Sequence, residues 1–161
     1  MFFASDNSSP AHPKVMDAMM KANEGYMGSY GADPIMDEVR AQIRELFEAP
    51  EAAVYLVSTG STANALSLAT FCQPWTAVYC HRIAHIEEDE CGAPEFYTNG
   101  AKMVLIDGED AKMDADNLRQ TLKMAAGGGV HNVQRGMVSI TNVTEAGGVY
   151  TVAQVAELCA I

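Results

Sequence analysis

The sequence predicts an α/β fold in which a mostly parallel sheet is flanked by helices. Four short apolar runs are spread along the chain, with helical or loop segments between them. Each run is continuously apolar rather than alternating, which is typical of strands that are buried on both faces. The four predicted strands are AVYLV from Ala53, TAVYC from Thr76, KMVLI from Lys102 and GMVSI from Gly136.

Helices are predicted before, between and after these strands, because apolar residues recur there at helical spacing. Asp114 is placed to cap one of them, and the glycines at 127–129 end that helix. The other predicted helices cover residues 10–22, 34–48, 63–71 and 151–161.

Composition and charge narrow the choice of partner. The chain has 161 residues, the size of a single domain, and a formal net charge of -11. A surface this acidic repels nucleic-acid backbones and anionic membranes, so neither is expected as a partner. No apolar run approaches the length of a membrane span. A small molecule is the expected ligand.

The four cysteines indicate the compartment. They lack the close paired spacing of a zinc site, and they are too few for a secreted disulfide scaffold. We therefore expect reduced thiols and a cytoplasmic protein.

The segment STGST, residues 58–62, lies between the first predicted strand and the helix after it. Ligands of open α/β sheets bind at such strand ends, and free N–H groups at a helix start attract anions. Gly60 lets the backbone come close to a phosphate. A helix cap rich in hydroxyl groups, without any ligand, is the alternative. The segment lacks the lysine of a P-loop and the three-glycine dinucleotide pattern, which favours a smaller phosphate-bearing cofactor.

A second polar segment, HRIAHIEEDECGAPEF, follows the strand TAVYC. Its position at a neighbouring strand end favours a functional role over a solvated acidic turn. A metal site is the weaker interpretation, because the two histidines do not have the H-E-x-x-H spacing. The residues that could serve as ligands are His81, His85, Glu87, Glu88 and Glu90.

Five segments carry a family resemblance along nearly the whole chain. In order, they are FASDNSSPAHPKVMDAM, GSYGADP, STGSTAN, AHIEEDECGAPEF and VHNVQRGMVSITNVTEAGGVY. Together they resemble the threonine aldolases of the β-eliminating lyase group. This resemblance implies part of the large domain of the fold-type-I (aminotransferase) scaffold, with pyridoxal 5'-phosphate (PLP) as cofactor.

The resemblance also implies roles for individual residues. Gly60, Ser61 and Thr62 match the loop that binds the cofactor phosphate. His85 matches a histidine that stacks on the cofactor ring, where it can assist proton transfer at the substrate hydroxyl, and Glu90 matches the acid that follows it. The remaining matches are to residues that contact substrate: Ser5 at its carboxylate, Tyr30, and His131 near its hydroxyl.

Other features of the family are missing or altered in this chain. The lysine that bonds covalently to PLP, the acid against its pyridine nitrogen and the arginine for the substrate carboxylate follow, in the family, beyond the last residue here. No lysine of this chain matches the covalent-lysine motif. The turn ITNVTEAGG differs from the commoner E-N-T-H turn, so Thr141, Asn142 and Glu145 receive no role.

We therefore predict that residues 1–161 are the amino-terminal segment and first part of the PLP-binding large domain, with the rest of that domain and a small C-terminal domain absent. The predicted parent activity is cleavage of β-hydroxy-α-amino acids of the threonine or phenylserine type to glycine and an aldehyde, in a homodimer or homotetramer. The chain alone is expected to be inactive. The alternatives are another fold-type-I enzyme, either a β-eliminating lyase or an aminotransferase, and a non-catalytic truncated remnant.

Overall fold

The computed structural model describes residues 8–161. The chain divides into two compact units, Met1–Tyr55 and Leu56–Ile161. The first unit contains helices α1 (Pro13–Ala22) and α2 (Pro34–Leu46). The second contains α3 (Gly60–Phe71), β1 (Thr76–His81), α4 (His85–Glu88), α5 (Ala93–Tyr97), β2 (Lys102–Ile106), α6 (Ala115–Ala126), β3 (Gln134–Val138) and α7 (Val152–Cys159), with short 3-10 turns at Glu109–Ala111 and Gly129–His131.

The helices of the first unit start at their prolines because proline suits the first helical turn, where its missing N–H has no helical partner. Pro13 opens α1, and Pro34 opens α2. The carboxylate of Asp33 caps α2 by accepting a hydrogen bond from the N–H of Met36 at 2.9 Å. Both helices lie where the apolar spacing predicts them.

The second unit is built on a parallel sheet of three strands in the order β2-β1-β3. Val78, at the middle of β1, pairs with Met103 on β2 and with Met137 on β3. The pairing with β3 shifts by one residue at Gly136, where a Cβ would collide with the carbonyl oxygen of Ala77. Glycine permits this close approach of the two backbones. The predicted α/β class, with a parallel sheet flanked by helices, is confirmed.

The predicted strand AVYLV is wrong. Residues 53–57 form no strand, and the side chains of Tyr55, Leu56 and Val57 are exposed. A strand requires a neighbour for its backbone hydrogen bonds, and residues 8–161 supply none to this segment. The apolar composition was therefore an insufficient signal. The fourth predicted strand is confirmed, but it begins at Gln134, two residues earlier than predicted.

Helices cover both faces of the central strand. Tyr79 and Ala77 face one core, which includes Leu118 and Leu122 of α6 and Leu158 of α7. Val78 and Cys80 point to the opposite face, where Leu68 of α3 and Ile86 of α4 pack. This alternation explains why β1 is continuously apolar in sequence.

The cysteines are all unpaired, with Cys72 and Cys80 buried and Cys91 and Cys159 exposed. Burial raises the pKa of the Cys80 thiol to about 12, and nearby acidic side chains add to the effect. Cys80 is therefore a packing residue rather than a reactive thiol.

Among the residues described, no helix is sufficiently long and apolar to cross a lipid bilayer.

Truncation of Leu118 tests the core that α6 forms with the sheet. Leu118 is fully buried, so Leu118→Ala should lower the free energy of unfolding by about 2–5 kcal/mol through lost burial and a residual cavity. Leu66→Ala on α3 is the matched control, because Leu66 is 45% exposed and its truncation should cost less than about 1 kcal/mol. Urea unfolding followed by circular dichroism measures both. Equal losses would contradict this assignment of the core.

Candidate functional site

The amino end of α3 is open and carries free backbone donors. The helix begins at Gly60, and its cap residue is Thr59, whose hydroxyl oxygen accepts a hydrogen bond from the N–H of Thr62 at 3.1 Å. That bond occupies the Thr62 N–H. The N–H groups of Gly60 and Ser61 have no acceptor among the residues that the structure describes. Within residues 8–161, a Cβ built on Gly60 would meet no atom of another segment within 4 Å, so the first turn of the helix is open at this position.

This helix end has the properties that a phosphate requires. Two adjacent N–H groups are free, the hydroxyl of Ser61 lies beside them, and the helix dipole places positive partial charge there. The hydroxyl of Thr62 already lies 2.9 Å from that of Thr59. The residues present therefore fit a phosphate group, with Gly60 and Ser61 as the principal donors.

His85 is held at the carboxyl end of β1 by the segment that leads to it. Arg82 forms two hydrogen bonds with the carboxylate of Asp107, at 2.8 and 3.3 Å, which join the turns after β1 and β2. The Arg82 hydrogen bond lowers the pKa of Asp107. Ile86, next to His85, is buried in the core. The backbone at His85 is therefore anchored on both sides, while its side chain stays 42% exposed.

A buried carboxylate lies beside the His85 ring. The Glu90 side chain is completely buried, and its Oε1 atom lies 3.7 Å from Nε2 of His85. The same oxygen accepts a hydrogen bond of 2.7 Å from the side-chain amide of Asn64, on the first turns of α3. Oε2 of Glu90 has no hydrogen-bond partner within residues 8–161. Because a buried carboxylate is costly unless it is paired, the hydrogen bond from Asn64 stabilises Glu90.

Two further carboxylates lie on the other side of the ring. Nδ1 of His85 is 3.7 Å from Oδ2 of Asp89 and 3.5 Å from Oε1 of Glu145. Glu145 belongs to the turn after β3, so segments that follow the carboxyl ends of two neighbouring strands meet at this imidazole. The amide of Asn64 adds the first turns of α3 to the same cluster.

The possible metal ligands differ from those considered from sequence. His81 cannot serve, because its Nδ1 accepts a hydrogen bond from the N–H of Ile83 and its Nε2 therefore donates to the carbonyl of Gly108. Burial, followed by the charges of Glu95 and Glu88, raises the pKa of Glu87 and disfavours its ionised form. The structure instead groups ligand atoms of His85, Asp89 and Glu145 within 4.8 Å of one another. Exposed acidic groups are common without a metal, so the absence of a metal stays a prediction.

Comparisons with known proteins agree with the fold. The family model described as Beta-eliminating lyase matches residues 3–161. The chain belongs to the beta-eliminating lyase family. The resemblance noted from sequence is thereby confirmed.

Individual relatives of this beta-eliminating lyase family member include threonine aldolases. The chain is 38% identical to a low specificity L-threonine aldolase from Pseudomonas sp. over 148 residues, and 39% identical to a protein of the same name from Pseudomonas aeruginosa over 149 residues. Each match covers 92% of this chain but 42% of the relative. The chain therefore spans less than half the length of the curated relatives it matches.

A solved structure shows the same arrangement. A threonine aldolase from Leishmania major matches with a TM-score of 0.90 and 31% sequence identity, covering 98% of this chain and 45% of that one. The fold of this beta-eliminating lyase family member is thus that of the corresponding part of a threonine aldolase.

The remaining predicted site residues lie elsewhere or cannot be placed. His131 is exposed and precedes the amino end of β3, whereas His85 follows the carboxyl end of β1. Because the strands are parallel, these ends are opposite, and the structure does not bring the two histidines together. Tyr30 is exposed in the first unit, at φ 59°. Ser5 lies outside the described residues.

Sequence reasoning gave no role to three residues that the structure places around His85: Asn64, Asp89 and Glu145. Asn64 and Asp89 lie within the segments STGSTAN and AHIEEDECGAPEF, which the sequence already marked as functional. The sequence does not show which residues they contact. Glu145 stands in the turn that departs from the family pattern. No sequence signal links that turn to His85, because the contact depends on how the strands pair.

The hydrogen bond between Asn64 and Glu90 can be tested by a double-mutant cycle. Asn64→Ala leaves a buried carboxylate without its amide donor and should cost about 2–3 kcal/mol of unfolding free energy. In a Glu90→Gln background the same change should cost less, because the group left unpaired is neutral. The two costs should differ by at least about 1 kcal/mol. Equal costs in the two backgrounds, measured by urea unfolding, would show that the bond does not stabilise a charged Glu90.

Proposed function

We propose that the full-length protein is a PLP-dependent carbon–carbon lyase that cleaves β-hydroxy-α-amino acids of the threonine or phenylserine type to glycine and an aldehyde. The observation that carries the proposal is the similarity of nearly the whole chain to proteins named low specificity L-threonine aldolase. Residues 1–161 provide one part of the active site. On the same similarity we propose an amino acid as the substrate.

The phosphate of PLP is proposed to bind at the amino end of α3. The free N–H groups of Gly60 and Ser61 and the hydroxyl of Ser61 would donate to it, with Thr62 completing the turn. The open space at Gly60 and the free donors support this assignment. When bound, PLP supplies an electron sink for the electron pair released when the bond between the α and β carbons breaks.

His85 is proposed to stack on the cofactor ring and to take the proton of the substrate hydroxyl. Its imidazole is partly exposed, and carboxylates lie near both ring nitrogens. These negative charges stabilise the positive charge that the ring acquires with the proton. The anchoring of the segment from Arg82 to Ile86 keeps the ring in one place, as a proton acceptor requires.

Other assignments follow from the resemblance alone. Ser5 and Tyr30 are proposed to bind substrate. His131 stays a prediction, and its place at the opposite end of the sheet does not support a contact with the substrate hydroxyl. A homodimer or homotetramer is proposed; the exposed apolar side chains of α1, among them Met16 and Met19, suit an interface. A cytoplasmic location is proposed from the unpaired cysteines.

Turnover of L-threonine by the full-length protein with PLP tests the proposal. Glycine and acetaldehyde should appear in equal amounts. An amino group passed to a keto acid would favour an aminotransferase, ammonia with a keto acid would favour an eliminating lyase, and no turnover would favour a non-catalytic chain.

His85→Ala should lower kcat by about 10²–10⁴-fold, because a positioned acid–base group contributes that much. The melting temperature should change little, since the ring is partly exposed. His131→Ala is the comparison, and its effect on kcat should be the smaller of the two. Wild-type rates for His85→Ala would remove His85 from the mechanism, and a larger loss for His131→Ala would restore the role that the resemblance gave it.

Gly60→Asp should weaken PLP binding by at least about tenfold, because a carboxylate would face the phosphate. Gly60→Ala is the control for added bulk alone. It should retain the cofactor, since no atom of another described segment lies within 4 Å of the added Cβ and the backbone of Gly60 is not in the left-handed region. Titration followed by the absorbance of bound PLP gives both affinities. Unchanged occupancy in Gly60→Asp would move the phosphate site elsewhere.

A further inference from the structure

We infer that His85, Asp89 and Glu145 form a binding site for a divalent first-row metal ion, and that this ion inhibits the enzyme by occupying Nδ1 of His85. The inhibitory part of the inference rests on the proposed function, because it concerns the ring that the proposal makes the proton acceptor. The prediction that the reaction itself uses no metal is unchanged, since the ion and the reaction compete for the same imidazole.

The three ligand atoms are spaced as a metal ion requires. Nδ1 of His85 lies 3.5 Å from Oε1 of Glu145 and 3.7 Å from Oδ2 of Asp89, and all three atoms lie within 4.8 Å of one another. Atoms bound at about 2.0–2.2 Å to one ion are about 3–3.5 Å apart, so small side-chain rotations complete the site. One imidazole and two carboxylates leave the remaining coordination positions to water, which suits a reversibly bound ion.

The buried carboxylate of Glu90 is an independent observation that points to the same ligand. A histidine that binds a metal through one ring nitrogen carries its N–H on the other, and that N–H is commonly held by a carboxylate. Glu90 lies on this other side of the His85 ring, with Oε1 3.7 Å from Nε2, and its side chain is completely buried. Its Oε2 has no hydrogen-bond partner within residues 8–161, so Glu90 retains an acceptor that a small movement of the ring would satisfy.

Negative charge around the ring favours a cation. The carboxylates of Asp89, Glu90 and Glu145 all lie within 4.0 Å of a nitrogen of His85. In the part of the chain that the structure describes, no lysine or arginine forms an ion pair with any of the three. A divalent ion between Asp89 and Glu145 would relieve the repulsion between these two carboxylates.

The backbone holds the ligands in place while their side chains stay accessible. His85 and Asp89 are four positions apart on one helical turn, and the N–H of Asp89 donates to the carbonyl of His85 at 3.0 Å. Glu145 follows Thr144, a buried residue whose hydroxyl donates to the carbonyl of Asp110 at 2.7 Å. The three ligand side chains are partly exposed, so an ion can enter from solvent.

Occupation of this site removes the proton acceptor. With the ion on Nδ1 and a hydrogen on Nε2, the imidazole of His85 has no lone pair left for the proton of the substrate hydroxyl. Ion binding and the proton transfer proposed for His85 therefore exclude each other.

Titration of the full-length PLP-bound protein with Mn²⁺, in the absence of free PLP, tests the site directly. Electron paramagnetic resonance follows the ion, because the signal of free Mn²⁺ is lost on binding. Mn²⁺ prefers oxygen ligands to thiolates, so the exposed Cys91 and Cys159 do not compete for it. His85→Ala and Glu145→Gln should each weaken this binding at least about tenfold.

Glu88→Gln is the matched control for charge. Glu88 lies on the same short helix as His85 and is exposed, but within the described residues it forms no ion pair with the ring. Loss of its charge should leave the affinity for Mn²⁺ within about twofold, since a surface charge interacts weakly.

A second control locates the ion. In protein labelled with 15N-histidine, Mn²⁺ should broaden the resonances of His85 at concentrations that leave those of His131 unchanged. His131 precedes the amino end of β3, at the opposite end of the sheet.

Turnover of L-threonine measures the consequence. Saturation with Mn²⁺ should lower kcat at least about tenfold, because a positioned acid–base group contributes that much or more. Removal of the ion by a chelator should restore kcat. Glu145→Gln should need at least about tenfold more Mn²⁺ for half-inhibition.

Equal Mn²⁺ affinity in wild type, His85→Ala and Glu145→Gln would indicate an adventitious ion only, on an acidic surface, and would overturn the site. Binding at His85 with unchanged or increased turnover would overturn the inhibition. If the full-length protein does not cleave threonine without the ion, the proposed function fails, whereas the Mn²⁺ titration still decides whether His85, Asp89 and Glu145 bind a metal.

Discussion

The hydrogen bond from Asn64 to the buried carboxylate of Glu90 is the contact on which the arrangement of the site depends. It joins the first turns of α3 to the segment between α4 and α5, and the two residues are 26 positions apart in sequence. The same carboxylate oxygen lies near Nε2 of His85. One buried group therefore links the free N–H donors at the start of α3 to the imidazole. Without the amide donor this buried carboxylate would lose its hydrogen bond, which would destabilise the contact between the two segments by about 2–3 kcal/mol.

The parallel sheet supplies the frame for this contact. Parallel strands place their carboxyl ends along one edge, so the segments after β1, β2 and β3 all emerge on the same side. Arg82 and Asp107 join the first two of these segments, and the first and third meet where Nδ1 of His85 lies 3.5 Å from Oε1 of Glu145. Each of the three segments is also held from below by a buried apolar or aromatic side chain, Ile86 after β1, Met113 after β2 and Tyr150 after β3. The polar contacts at this edge are therefore built on the same core as the strands.

Local sequence patterns were sufficient for those parts of the structure that depend on local physics. Apolar spacing located α2 and α6, and Asp114 caps α6 as expected by accepting from the N–H of Asn117. The strand predicted at residues 53–57 is wrong for a non-local reason. A strand forms only where another strand pairs with it, and a local sequence pattern does not show whether such a neighbour is present. The residues of the candidate site fall into the same two groups, those that a local motif identifies and those whose role depends on strand pairing. His85 and the loop at Gly60 were identified from motifs, whereas the contact of Glu145 with His85 requires the order and register of strands.

At the start of α3, the two interpretations of the segment STGST, a hydroxyl-rich helix cap and a phosphate-binding site, are compatible with each other. A cap satisfies one backbone donor, but a helix start has four, so a capped helix still has N–H groups to offer. Thr59 takes the N–H of Thr62 and leaves those of Gly60 and Ser61 free. The cap also fixes the backbone of the first turn, which orders the two free donors before any anion arrives. A hydroxyl-rich cap therefore supports anion binding here rather than being an alternative to it. The hydroxyl groups of Thr59 and Thr62 form a hydrogen bond with each other, whereas the hydroxyl of Ser61 is available to an anion.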